Sequence, residues 1–318
     1  MKNRFFAAIA LTGLFLTLPL VTLHAQTESE PDGLAISEGF IPDTLPVSDA
    51  PYSEDDRVII GEDNRAPVLT TAYPYSTIGR IDWVLADGRS LGYCTGTLIG
   101  RDLVLTNSHC LTHPLTENVV NQRQYRRGRE KIVFKPAMIR GVAPAAAEVV
   151  TFEYGWGENP GAASADWAIL KLDRPLGDTF GYLGWVDLDF TQQQVVNAVD
   201  GKIRIAGYAG DFPTAQLREF GEAGDTAGQH DGCSIIEGHD RGQLAGLIFH
   251  ACDTNPGSSG SALIGHWSDG VYVVLGLHAG ANQLNREIDL PTGDRSRALN
   301  RAVQVNQWAG TAARMSQD

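Results

Sequence analysis

The chain has 318 residues, 38 acidic and 25 basic side chains, a net charge of −13 and 43% hydrophobic residues. That length holds one large domain or two smaller ones with a substantial core. The 35 glycines and 15 prolines fit a loop-rich β protein better than a helical bundle, and the acidic balance offers no basic face for nucleic acid.

Lys2 and Arg4 precede an apolar run from Phe5 to about Leu23, and Ala25 is a small residue suited to cleavage. A charged start, an apolar centre and a small exit read as a secretory signal over residues 1–25, which makes the product secreted or periplasmic. The run is at the short end for spanning a bilayer and no other stretch is long or apolar enough, so no stable membrane insertion is expected after cleavage. Residues 26–57 then carry nine carboxylates against the single Arg57. An acidic stretch with few aromatic residues cannot bury enough surface to fold alone. It reads as a propeptide or linker outside the core, leaving residues 58–318 as the working domain.

Short strands are predicted from there on: Thr77–Leu85, Tyr93–Ile99, Leu103–Thr106, Lys131–Phe134, Glu148–Tyr154, Trp167–Leu172, Lys202–Gly207, Leu244–Phe249, Ser261–Ile264 and Val271–Leu277. Turn clusters such as Asn159 to Gly161 separate them. Helical periodicity appears only over Arg297–Ala309. Residues 191–201 look like a join between an N-terminal half (58–190) and a C-terminal half (201–318). Many strands without intervening helices exclude a parallel α/β sheet and point to barrels or a sandwich. The basic cluster Arg123, Arg126, Arg127, Arg129 and Lys131 reads as a solvated loop, since only Tyr125 interleaves for base stacking.

Four cysteines in an exported chain imply disulfides. Of the three pairings, the local ones, Cys94–Cys110 and Cys233–Cys252, are expected because each stays within one half. A zinc site from His109, Cys110 and His113 lacks the usual ligand spacing, and no acidic loop has calcium-ligand spacing. No metal or cofactor is expected.

Three segments carry chemistry. From Leu103 an apolar strand runs to polar residues and presents His109 beside Cys110; histidine is suited to proton transfer near neutrality. Asp166 heads the apolar strand that follows it. Capping a turn is the commoner fate of such an aspartate, but it could instead orient a histidine tautomer. Cys252 to Ser261 is a Gly/Ser-rich turn in which flanking glycines can expose a hydroxyl and aim the amides of Gly257 and Ser259 at one spot.

Together these segments resemble the chymotrypsin-like serine proteases, in their order of His, Asp and Ser. The resemblance implies an all-β fold of two antiparallel six-stranded barrels with a C-terminal helix, His109 as general base, Asp166 as its orienting carboxylate and Ser259 as nucleophile. Ser258 and Ser261 compete, but only Ser259 sits in the Gly-x-Ser-Gly setting. An α/β-hydrolase elbow would need glycine at Ser261 and a different chain order.

Val58 to Arg65, followed by Thr71-Ala72-Tyr73-Pro74-Tyr75, resembles the mature start of the bacterial glutamyl endopeptidases. Gly276 to Gly280 resembles their specificity segment, and Asn300 to Val303 the lead-in to their C-terminal helix. This implies cleavage after Arg57, with the freed amine of Val58 near the substrate pocket. It also implies a preference for Glu, then Asp, read by Thr254 and His278. Asp253 lies where trypsin-type enzymes bind Lys or Arg, the main alternative. Ser258 replaces the aspartate that digestive enzymes use to pair with a new N-terminus. Protein or peptide substrates and a monomeric state follow from the resemblance. A non-catalytic binding module on a protease scaffold is the second class of reading.

Overall fold

The computed structural model describes residues 36–47, 63–268, 270–290 and 295–317. The signal over residues 1–25 and Val58 lie outside the described residues. In chain order β1 (Ile36–Ser37) and β2 (Ala66–Pro67) come first. Six strands follow: β3 (Ile78–Val84), β4 (Ser90–Leu98), β5 (Leu103–Thr106), β6 (Lys131–Pro136), β7 (Ala147–Tyr154) and β8 (Ala168–Leu172). They close into a barrel in the order β3-β4-β5-β8-β7-β6, with β6 returning to β3. The period of two is plain in β6, where Ile132, Phe134 and Pro136 are buried between more exposed neighbours. Ile81, Leu98, Val104, Phe152 and Leu170 fill the same barrel interior.

Strand β9 (Gly184–Val186) leads into the second half. There β10 (Ile203–Gly207), β11 (Gly228–Cys233), β12 (Ile235–His239), β13 (Leu247–His250), β14 (Ala262–Ser268), β15 (Val271–Asp289) and β16 (Arg295–Gln304) form the body of a ten-stranded sheet. The order is β12-β13-β16-β15-β14-β10-β11-β2, and β9 joins β15 in parallel and β1 in antiparallel register. Among the described residues four short α-helices decorate the sheets: α1 (Gln122–Arg127), α2 (Gly177–Phe180), α3 (Gln193–Val199) and α4 (Ala309–Met315). None of the described helices is long and apolar enough to cross a membrane.

The predicted helix over Arg297–Ala309 is instead β16, a 3-10 turn at Val305–Gln307 and then α4. Asn300 to Val303 therefore lie on a strand. Leu299, Ala302, Val303 and Val305 mimic a helical stripe, but β13 and β15 flank this segment and pair with it from both sides. The basic cluster begins on α1, whose Asn121 and Gln124 form a reciprocal capping box; its arginines face solvent as expected.

One apolar cluster is shared by both halves. Tyr75, Leu105 and Ile169 from the first half meet Leu277, Val303, Trp308 and Met315 from the second. Part of the acidic stretch lies on it: Ile41, Leu45 and Val47 pack against this seam, although charge counting set the stretch outside the core. Ile41, Leu45 and Val47 turn inward while Glu38, Phe40 and Asp43 stay exposed. Disulfides join Cys94 to Cys110 and Cys233 to Cys252.

Candidate active site

After β5 the chain passes through Asn107 and Ser108 into a 3-10 turn, His109–Leu111. The end of β5 is fastened to the head of β8. The Asn107 side-chain amide donates to the Asp166 carbonyl at 2.7 Å, and the Ser108 hydroxyl lies 2.8 Å from the Trp167 carbonyl. This brings His109 onto Asp166, 2% exposed. One carboxylate oxygen accepts the His109 amide at 3.0 Å, and the other is 2.8 Å from His109 Nδ1. With the proton held on Nδ1 by the carboxylate, Nε2 is left as the basic nitrogen. Trp156, whose ring centroid is 6.4 Å from that of His109, flanks the imidazole.

The turn bearing Ser259 is held from the first barrel. Thr95 donates its amide to the Ser259 carbonyl at 2.9 Å and its hydroxyl to the Gly257 carbonyl at 2.9 Å. Gly257 (φ +101°) and Gly260 (φ +88°) occupy left-handed backbone, and a Cβ at Gly260 would stand 2.0 Å from the Thr95 carbonyl oxygen. Ser258 and Ser261 use their amides inside the turn, bonding the carbonyls of Asn255 and Ser258 at 2.9 Å. The amides of Gly257 and Ser259 meet no acceptor among the described residues. Cys110 Sγ lies 4.0 Å from the Ser259 carbonyl oxygen, so the histidine and serine turns abut. The Ser259 hydroxyl makes no hydrogen bond among the described residues.

His278 belongs to the same corner. Its carbonyl accepts the Gly260 amide at 3.1 Å and its amide donates to the Ser261 carbonyl at 2.8 Å. The β15–β16 register slips between His278 and Gly280, a bulge that re-aims the side chain. Beneath it, buried His250 places Nε2 3.1 Å from His278 Nδ1, and the Cys252 amide donates to His250 Nδ1 at 3.3 Å. The backbone donor makes His250 Nδ1 an acceptor, so its Nε2 carries the hydrogen and donates to His278 Nδ1. His278 Nε2 is thereby left as a donor. Burial, with the cationic forms of His109 and Arg301 nearby, lowers the His278 pKa to about 3, and burial likewise holds His250 well below its ordinary value. Both rings are neutral at pH 7.

Thr254 is half-buried, and its hydroxyl is unpaired among the described residues. Asp253 is 3% exposed; its carboxylate lies 3.3 Å from the Asn64 amide and 3.2 Å from His230 Nδ1. Next to it, buried Arg65 grips Asp63 and, through Nη1 and Nη2 at 2.9 and 2.7 Å, Asp211, which in turn accepts the Asn255 side-chain amide. The Cys94, His109 and Cys110 group could be mistaken for a metal cluster, but both sulfurs are bonded to each other.

His250, Arg65, Arg301 and Trp156 were not legible as site residues, because each acts through a partner distant in sequence. Arg65 and Arg301 carried a signal only as members of the runs Val58 to Arg65 and Asn300 to Val303. A cavity of about 490 Å³ beside α1, lined by Trp83, His113, Gln124 and Tyr125, contains none of His109, Asp166 and Ser259.

The family model described as a trypsin-like peptidase domain matches residues 94–274. Glutamyl endopeptidase of Bacillus licheniformis is 29% identical over 214 residues, 67% of this chain and 55% of that protein. Serine protease 23 of Homo sapiens is 27% identical over 237 residues, 68% of this chain and 51% of that protein. The chain thus spans about half the length of the curated relatives it matches. A solved structure described as Glu endopeptidase in complex with MPD superposes with a TM-score of 0.57 at 23% identity, covering 82% of this chain and 100% of that one. At that identity the likeness speaks for the fold.

Proposed function

The chain belongs to the family of trypsin-like peptidase domains, and on that premise we propose that it is a serine endopeptidase hydrolysing peptide bonds through an acyl-enzyme on Ser259. One observation carries this reading: Asp166 binds both Nδ1 and the amide of His109, in front of a turn with two unused amides. Ser259 Oγ attacks the substrate carbonyl while His109 Nε2 takes its proton. The amides of Gly257 and Ser259 receive the developing oxyanion. His109 then returns the proton to the leaving amine, and water, deprotonated by His109, cleaves the acyl-enzyme. A fluorophosphonate probe tests this. Labelling of folded protein at Ser259 supports the enzyme; absence of labelling supports a binding module on a protease scaffold.

The preference read here is Glu, then Asp, before the cut. His278 Nε2–H and the Thr254 hydroxyl donate to the substrate carboxylate, and the Arg301 guanidinium adds attraction. The Asp253 carboxylate accepts the Asn64 amide, which weighs against a Lys or Arg preference through that residue. Kinetics on matched Glu, Asp, Lys, Arg and Phe substrates decide it; a Lys or Arg preference unchanged by His278→Ala would make Asp253 the reader. Maturation is by cleavage after Arg57, dividing an acidic propeptide (26–57) from the protease domain (58–318), after export by the signal over residues 1–25. The product acts outside the cytoplasm on protein or peptide substrates, as a monomer.

A further inference from the structure

Residues 36–47 belong by charge to the stretch proposed for removal, yet they are built into the fold. Their backbone follows the segment that joins the two halves. Ile36 pairs with Val186 and Ser37 with Trp185, and Phe40 exchanges two 2.9 Å hydrogen bonds with Tyr182. At the far end the Tyr73 amide donates to the Pro46 carbonyl at 2.8 Å. Between these anchors Ile41, Leu45 and Val47 pack on the apolar cluster shared by both halves, while Ile36 packs on the core of the second. The receiving surface fits this one path: a Cβ at Gly184 would stand 2.0 Å from the Ser37 carbonyl oxygen. Strand β9, which takes the segment, also pairs with β15, the strand of His278.

We infer that residues 36–47 are a strap that stays seated on the protease domain, without a covalent link, after the chain is cut behind Arg57, so that the mature protein is a two-piece assembly. This rests on the maturation reading above. That cut breaks one peptide bond and leaves each named contact untouched, because all of them lie between residues 36–47 and residues on the domain. Paired edge hydrogen bonds supply the register and the inward apolar side chains supply the hold, as in strand addition to a sheet edge.

The test is made in a Ser259→Ala chain, so that no self-cleavage intervenes, with residues 50–55 replaced by the recognition sequence of an added specific protease. After cutting, both pieces should leave a gel-filtration column in one peak and in equal amounts by mass spectrometry. The cut protein should melt within about 2 °C of the uncut one. The triple change Phe40→Ala, Ile41→Ala, Leu45→Ala should strip the short piece from that peak and lower the melting midpoint by about 5 °C or more. Loss of the unaltered short piece on the column overturns the inference. So does its retention by the triple variant, which would assign the hold to residues 26–35. The maturation reading fails by a different result, active wild-type protein whose chain is uncut ahead of Val58, and that result leaves the outcome of the added cut standing.

Discussion

On the proposed mechanism Ser259 and His109 act as a unit, so Ser259→Ala should lower kcat by roughly 10⁴- to 10⁶-fold with the fold intact, measured by peptide turnover beside circular dichroism. The buried histidines make a different demand. His278 titrates near 3 when folded because burial and nearby positive charge oppose its cation, against about 6.5 in an unfolded chain. Between those values the unfolded chain binds the extra proton, so stability is unaffected above pH 6.5 and falls as pH drops through 6.5 toward 3. The loss at pH 4.5 is on the order of 3 kcal/mol. Denaturant unfolding at pH 7 and 4.5 should register it, and His278→Gln should reduce the dependence, leaving the part that buried His250 contributes. His250→Leu removes the donor that fixes His278 in one tautomer; the ratio of kcat/KM for Glu over Phe substrates should fall by about tenfold.

At the scale of elements, the loop before Ser259 is secured from outside itself. Arg65 holds Asp211, and Asp211 holds Asn255, four residues before Ser259. Arg65→Ala leaves two carboxylates facing each other without their cation. It should cost about 3 kcal/mol or more in stability and lower kcat/KM, while Asp178→Ala, which frees the exposed Arg101, should change neither. Strands with β-branched alternation, such as Leu103–Thr106, were legible to the residue in the sequence; of the three segments singled out there, the structure sets His109 on Asp166 and the Ser259 turn beside Cys110. Strand β11 was not legible, since Gly228 to Cys233 is rich in Gly, Gln, His and Asp and takes its form from pairing with β10. The same holds for β16, whose apolar spacing suits a helix until its two neighbours are in place. The His250–His278 contact has no local signature at all, because it joins residues on different strands.

For the whole molecule, the maturation reading predicts that active protein gives Val58 on N-terminal sequencing, and that a chain made uncleavable at Arg57 loses most of its peptidase activity. An N-terminus near Gln26 on active material would contradict it. The seam shared by the halves carries a further consequence, in time. It is completed by Trp308, Ala309, Ala312 and Met315, which are well downstream of Ser259. A ribosome releases these residues after Ser259, at roughly 5–20 residues per second. While the chain is emerging, the first barrel can close, but the faces of the two halves lack the residues that complete their shared seam. On the proposed function, the order of translation delays completion of the seam behind Ser259 and His109 until the residues downstream of Ser259 have been made.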